Sequence, residues 1–183
     1  GRDVLVTREP GGVPIGEKIR SLILDFDSKG MDPRTEALLF AASRRQHLVE
    51  KIKPALEEGR IILMDRFVDS SLAYQGYARD IGVDEVLSIN EFATEGLEPD
   101  LTIFIDVVPE LGLSRVENNN REYTRLDAES MNFHHEVRKG YLELVKNKKR
   151  MTLIDWDCSI EQLIKEVSTL VRVHLLHHEE ANH

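Results

Sequence analysis

Residues 61–76 read IILMDRFVDSSLAYQG, and this stretch decides the fold prediction. Its first four residues are apolar without alternation, which is typical of a strand buried on both faces of a parallel sheet. Asp65 and Arg66 then follow the carboxyl end of that strand. Because ligands of open α/β sheets bind in the crevice at the carboxyl ends of the strands, this charged pair indicates a ligand site. A charged pair that only ends a strand is the alternative.

Three further stretches have the composition of short buried strands, at residues 3–7, 101–108 and 151–155. Helical periodicity separates them, and the first case has Ile15, Ile19, Leu22 and Ile23 on one face. This alternation predicts an α/β fold with a parallel sheet. A sheet of only four strands would be thin for 183 residues. We find no repeat and no linker, so residues 1–183 are predicted to form a single domain.

Helix ends can be predicted from capping residues. Asp32 followed by proline begins a helix that runs to about residue 58, with a bend near Pro54. The residues expected to cap the later helices are Asp84, Asp127 and Ser159, the last forming a capping box with Gln162. The segment from His177 onward is expected to be a frayed, solvated tail.

The net charge of −9 argues against a nucleic-acid or anionic-membrane partner, because such partners need a broad basic field. No apolar run approaches the roughly 18 residues that a membrane span requires. The single cysteine, Cys158, leaves no intrachain disulfide and indicates a reducing compartment. We therefore expect a cytoplasmic protein.

Four short motifs occur along the chain: TREPGG at 7–12, LFAASR at 39–44, DR at 65–66 with SSLAYQG at 70–76, and RLD at 125–127. Together, in this order and spacing, they resemble bacterial thymidylate kinases over residues 1 to about 175. The resemblance implies a P-loop kinase-like three-layer sandwich with helices on both faces of a parallel sheet. It also implies a homodimer that transfers the γ-phosphoryl of ATP to dTMP, with Mg²⁺, giving ADP and dTDP for dTTP synthesis.

The resemblance implies roles for particular residues. Arg66 would hold the dTMP phosphate, and Arg20 would be a second contact. Phe40 would stack on thymine, although core packing is the alternative interpretation of that residue. The remaining implied contacts are Arg44, Ser71 and Gln75 with the base, Tyr74 beside the sugar 2′ position, and Glu9 near the 3′-hydroxyl or the metal.

The catalytic residues implied by the resemblance are Asp65, Arg66, Arg121 and Arg125. Asp65 occupies the strand-end position where such enzymes place a carboxylate near Mg²⁺. Residues 115–127 resemble the family's lid, which closes over ATP and brings Arg121 and Arg125 to the transferred group. A solvated surface loop is the alternative interpretation of this segment.

The chain departs from the family in one respect, because no G-x-x-x-x-G-K-[ST] phosphate loop occurs in its 183 residues. We therefore expect that a first strand, loop and helix of roughly 25 to 30 residues lie outside this chain. The chain alone would then fold poorly and be inactive. Two alternatives stay open, a deoxynucleoside kinase of the same fold and a catalytically dead nucleotide-binding homologue.

Overall fold

A computed structural model describes residues 2–118, 123–156 and 159–181, with side chains described up to His177. Its strands are β1 (Val4–Arg8), β2 (Ile61–Asp65), β3 (Thr102–Asp106) and β4 (Met151–Asp155). Its α-helices are α1 (Pro14–Leu24), α2 (Pro33–His47), α3 (Lys53–Glu57), α4 (Val68–Ser71), α5 (Val83–Thr94), α6 (Pro109–Asn118), α7 (Met131–Asn147) and α8 (Ile160–Ala181). Two π-helical segments, Leu48–Ile52 and Leu72–Ala78, continue α2 and α4, and Phe26–Ser28 is a 3₁₀ turn.

All four predicted strands form, and their pairing is parallel as predicted. β1 pairs with β2 so that Arg8 lies beside Asp65, and β3 pairs with β4 so that Asp106 lies beside Asp155. Within the described residues the strands form two separate pairs, not the single sheet that we expected. The predicted first strand outside this chain stays a prediction.

Side chains connect the two strand pairs where strand hydrogen bonds do not. Asp69, in α4 just after β2, is buried and accepts a hydrogen bond from the hydroxyl of Thr102 at the start of β3. Arg150, next to β4, donates hydrogen bonds to both oxygens of the same carboxylate at 2.6 and 2.9 Å, and Lys148 donates to it at 2.9 Å. This ion cluster therefore joins the β2 side of the molecule to β3 and β4.

The main hydrophobic core lies between α4 with its π-helical continuation, α5 and α7. Leu72, Ala73 and Val86 are completely buried there, and Phe133 and Val137 of α7 pack against them. A Cβ at Gly140 would lie 2.9 Å from the Cβ of Tyr77, so a glycine lets α7 approach this closely.

Some helix ends lie where the sequence predicted them, and others do not. Asp32 caps α2 by accepting from the amides of Arg34 and Thr35. The predicted capping box at α8 is also present, with Ser159 and Gln162 hydrogen-bonded reciprocally. Helix α8 continues to Ala181, beyond the residue where we expected a frayed tail.

Two predicted caps are wrong. α5 begins at Val83, so Asp84 lies inside its first turn, and Gly82 at φ 107° is the capping residue. α7 is capped by Ser130, whose hydroxyl accepts from the amide of Phe133. Asp127 cannot cap that helix because its carboxylate accepts from the amide and hydroxyl of Thr124 at 2.9 and 2.6 Å.

Candidate active site at the carboxyl ends of β1 and β2

The carboxyl ends of β1 and β2 lie side by side, because the two strands pair directly and no other strand lies between them. The amide of Glu9 donates to the carbonyl of Asp65 at 3.0 Å, which brings the residues that follow the two strands together. The carboxylate-bearing residue Asp65 and its neighbour Arg66 are both exposed at this edge. The edge thus presents a cation and a carboxylate to solvent where an open α/β fold binds ligands.

Arg66 has an unusual backbone conformation. Its φ of 69° lies in the left-handed region, which costs a non-glycine residue roughly 1 to 2 kcal/mol. Its guanidinium lies over the ring of Tyr74, with 5.3 Å between the guanidinium carbon and the ring centroid. Strain of this kind tends to be retained where it serves function, which supports the role assigned to Arg66.

Two tyrosines, Tyr74 and Tyr141, affect the pKa of Arg66. The neighbouring Tyr74 is the main cause of a pKa raised above the ordinary arginine range, so Arg66 is cationic at any physiological pH. The hydroxyl of Tyr141 donates to Ser70 at 2.6 Å. Burial raises the pKa of Tyr141 to about 12, although the cation of Arg66 opposes that shift. Tyr141 is therefore a neutral hydrogen-bonding group at neutral pH.

Arg44 is the centre of a buried polar cluster behind this edge. Its side chain is 2% exposed, and its Nε donates to Glu9 at 2.7 Å. Its Nη1 donates to the hydroxyl of Ser71 at 3.1 Å and to the side-chain oxygen of Asn90. The predicted base-contacting residues Arg44 and Ser71 therefore touch each other, and the network holds the guanidinium in one orientation.

The carboxylate of Glu9 is held on both oxygens. One oxygen accepts from Arg44, and the other lies 3.0 Å from Nδ1 of His47. Because a carboxylate only accepts, Nδ1 carries a proton, and Nε2 of the same ring lies 2.8 Å from the Thr7 hydroxyl, to which it is hydrogen-bonded. Glu9 is 4% exposed, so its contact with a 3′-hydroxyl or a metal stays a prediction.

A second buried cluster is centred on Glu36, in the first turn of α2. Its Oε1 accepts from Nε2 of Gln75 at 3.0 Å and from Nε of Arg79 at 3.2 Å. Its Oε2 accepts from Arg79 at 3.1 Å and from Arg125 at 2.6 Å. Burial alone would raise the pKa of Glu36, but the bonds from Arg79, Arg125 and Gln75 outweigh it and lower the pKa. Glu36 is ionised at neutral pH.

Arg125, predicted to end the lid, is 5% exposed and anchored on two sides. Its Nε donates to the carbonyl of Ile23 at 2.9 Å, its amide donates to the carbonyl of Leu24, and its Nη2 binds Glu36. In this arrangement it ties the end of α1 to α2. A catalytic role for Arg125 stays a prediction and requires that the bond to Glu36 be released.

The other predicted residues occupy varied environments. Arg121 lies outside the described residues, so nothing tests its placement. Nη1 of Arg20 donates to the carbonyl of Pro10 at 3.1 Å, beside the strand edge. Phe40 is half-buried and does not belong to the main hydrophobic core, and its stacking on thymine stays a prediction.

Sequence reasoning missed Glu36, His47 and Asn90. The first two share one face of α2 with Phe40 and Arg44, at spacings of four, four and three residues. A polar stripe of this kind on a helix next to a predicted site is a signal that could have found them. Asn90 gives no such signal, because it reaches Arg44 from α5 across 46 residues of sequence.

Asp65 is a suitable single ligand for Mg²⁺. Mg²⁺ usually keeps several waters and is held by one or two carboxylates together with substrate phosphates. Among the residues that the structure describes, no group of three or more His, Cys, Asp or Glu side chains gathers as a metal cage. An exposed carboxylate beside an expected phosphate position meets the chemical requirement.

Comparison with known proteins decides the family. The thymidylate kinase family model matches residues 1–167. The chain is 54% identical over 177 residues to the thymidylate kinase of Halalkalibacterium halodurans, covering 96% of this chain and 84% of that protein. It is 51% identical over 172 residues to that of Clostridium novyi, covering 93% and 84%. The chain belongs to the thymidylate kinase family.

A solved structure agrees. The crystal structure of thymidylate kinase from Ehrlichia chaffeensis superposes with a TM-score of 0.73 at 32% identity, over 93% of this chain and 81% of that one. The thymidylate kinase fold predicted from the motifs is therefore confirmed. In the described part of the chain, none of the helices has the length and apolarity needed to cross a membrane.

Proposed function

We propose that this kinase transfers the γ-phosphoryl of ATP to the phosphate of dTMP, giving dTDP and ADP. The observation that carries the proposal is Arg66, an exposed residue with a permanently charged guanidinium at the paired carboxyl ends of β1 and β2. A guanidinium matches the geometry of a phosphate and can bind it through two parallel hydrogen bonds. Arg20, anchored at Pro10 on the same edge, would be a second contact.

The nucleoside would lie between α2 and the π-helical segment Leu72–Ala78. Phe40 supplies an aromatic face for stacking, and Arg44 supplies donors for a base carbonyl from a fixed position. Ser71 and Gln75 are the other polar groups proposed to contact thymine. Tyr74, which packs against Arg66, would crowd the 2′ position of the sugar.

Phosphoryl transfer would depend on charge stabilisation at this edge. Mg²⁺, held by Asp65 and the substrate phosphates, would neutralise charge on the transferred group. Arg66 orients the acceptor phosphate, and a lid arginine, Arg125 or Arg121, would stabilise the negative charge that spreads over the γ-phosphoryl. Excluding water strengthens each of these interactions.

The setting of the reaction is also part of the proposal. The enzyme would supply dTDP for dTTP synthesis in the cytoplasm, where a single cysteine stays reduced.

It would act as a homodimer, and apolar side chains on two contacting helices support this: Phe92 on α5 is 89% exposed and Leu38 on α2 is 56% exposed. Phe92→Asp should then lower the sedimentation mass to that of a monomer.

A deoxynucleoside kinase and a catalytically dead homologue are the competing functions. The product of the complete reading frame that contains this chain should be assayed with ATP and Mg²⁺, using dTMP and thymidine as acceptors. We expect ADP formation that depends on dTMP. Turnover of thymidine instead of dTMP would support the nucleoside kinase, and no turnover with either acceptor would support the dead homologue.

A further inference from the structure

The NH₂ group of the Gln75 side chain donates a hydrogen bond to Glu36. Gln75 is 1% exposed, and its Nε2 lies 3.0 Å from Oε1 of Glu36. An ionised carboxylate has no proton to donate, so the amide must turn its NH₂ group toward it. The orientation of the amide thus follows from the chemistry of its partner. The carbonyl oxygen of this amide is then the atom that can accept a hydrogen bond from another group.

Glu36 is itself held in place by two cations. Arg79 contacts both of its oxygens, and Arg125 binds Oε2 at 2.6 Å. Arg79 is further fixed by Glu129 at 2.5 Å and by the ring of Phe133, 4.4 Å from its guanidinium carbon. These contacts keep Glu36 ionised, and the contact of Arg79 with both oxygens would still hold the side chain toward Gln75 when Arg125 is released for its proposed catalytic role.

Resting on the proposed function, we propose that Glu36 is a positioning residue that makes the base site select thymine over cytosine. Glu36 orients Gln75 so that it offers its carbonyl oxygen to the base. Thymine presents an N3–H donor to such an oxygen. Cytosine presents an N3 lone pair, and two acceptors facing each other repel, with neither hydrogen bond made.

The two nucleotides therefore differ at the atom that Gln75 meets. If the amide could rotate, its NH₂ would donate to N3 of cytosine, and part of the discrimination would disappear. Arg44 would still favour a base with a carbonyl group at the 4 position, because it has only donors to offer. Loss of Glu36 should consequently relax the selectivity and not reverse it.

The test is the ratio of kcat/KM for dTMP to that for dCMP in wild type, Glu36→Gln and Glu129→Gln. The neutral amide in Glu36→Gln can donate as well as accept, which frees Gln75 to rotate. Glu129→Gln is the matched control, because Glu129 contacts Arg79 but not Gln75. A ratio cancels any loss common to both nucleotides, including one transmitted through Arg125.

We expect Glu36→Gln to lower the ratio about tenfold or more, and Glu129→Gln to leave it within about twofold. Gln75→Leu should abolish the effect of Glu36→Gln, because the residue through which Glu36 acts is gone. The proposal would be overturned if Glu36→Gln and Glu129→Gln changed the ratio equally. It would also be overturned if Glu36→Gln lowered the ratio as much in the Gln75→Leu background as in the wild type. If the wild type did not phosphorylate dTMP, the proposed function itself would fail, which is a separate result.

If Glu36→Gln does not fold, nuclear magnetic resonance on the unmutated protein provides a second test. A through-hydrogen-bond correlation between Nε2 of Gln75 and the carboxylate carbon of Glu36 is expected. Absence of this correlation, together with NH₂ exchange as fast as that of the exposed Gln162, would overturn the proposal.

Discussion

At the residue scale, the site depends on side chains held by several partners each. Arg44 has three hydrogen-bonded partners, Glu9, Ser71 and Asn90, that come from different elements. This guanidinium cannot reorient when a ligand binds, so a base must match the fixed positions of its donors. Rigid donors of this kind give selectivity, because a wrong base leaves buried groups unpaired.

The variant Phe40→Ala distinguishes between the two interpretations of the Phe40 ring, stacking on thymine and packing in the core. Because Phe40 is half-buried and outside the main core, we expect a higher KM for dTMP with little change in Tm. A core phenylalanine truncated to alanine typically costs about 3 to 5 kcal/mol of stability. Thermal melts and steady-state kinetics on the same variant check this. Heavy destabilisation with unchanged dTMP binding would favour core packing.

Arg66 can be tested through its backbone as well as its charge. Arg66→Gly and Arg66→Ala both remove the guanidinium, and both should weaken dTMP binding. Because φ is 69°, glycine relieves the left-handed strain and alanine does not. Urea unfolding should show Arg66→Gly more stable than Arg66→Ala by about 1 kcal/mol. Equal stabilities would mean that this backbone conformation is not retained in solution.

Arg125→Ala tests the lid assignment. A charge-stabilising arginine in phosphoryl transfer contributes roughly 10³ to 10⁵ in kcat. We expect kcat to fall at least about a hundredfold, with the KM for dTMP near wild type. Tm should fall too, since the variant removes contacts with Ile23 and Glu36. A variant that kept its kcat but lost stability would make Arg125 a structural residue, and Arg121 the next candidate.

At the element scale, ion clusters determine how the strand pairs are joined. Burial alone would raise the pKa of Asp69, but hydrogen bonds from Arg150 and Lys148 outweigh it and lower the pKa below the ordinary 3.8. A carboxylate with a depressed folded pKa stabilises the protein fully above its unfolded pKa. That contribution is lost as the pH falls through the folded value.

Asp69→Asn should therefore be destabilised at neutral pH, by about 2 kcal/mol, because it leaves two cations without their carboxylate. The difference from wild type should shrink as the pH falls below about 4, the ordinary pKa of an aspartate in the unfolded chain, and should be lost as the pH falls through the lower pKa of folded Asp69. Thermal melts of both proteins from pH 7 to pH 3 measure this. A difference that did not depend on pH would show that the charge of Asp69 contributes nothing.

Local patterns predicted the elements well. β2 and α1 were found because an apolar run and a helical stripe are properties of neighbouring residues. The Asp127 cap failed because Thr124 competes for the carboxylate, and sequence alone does not show which bond forms. The π-helical segment Leu72–Ala78 also has no local signal. The buried network was missed in part because Asn90 and Glu36 meet partners 39 to 89 residues away.

At the scale of the whole molecule, the fold brings two polar clusters to one helix. The cluster of Glu9 and His47 lies behind the strand edge, and Glu36, the centre of the second cluster, lies about three turns before His47 on α2. Helix α2 is thus the element that connects the proposed phosphate edge with the proposed base site. The charged residues that follow the apolar strand at 61–64 predicted the edge, whereas the position of α2 against α5 and the π-helical segment depends on tertiary packing.

The central claim is that this edge binds a nucleoside monophosphate through its phosphate. Isothermal titration calorimetry with dTMP and with thymidine tests it, using wild type and Arg66→Ala. We expect wild type to bind dTMP about a hundredfold more tightly than thymidine, corresponding to about 2.7 kcal/mol, and Arg66→Ala to lose most of that preference. Equal affinity of the wild type for dTMP and thymidine would contradict the account.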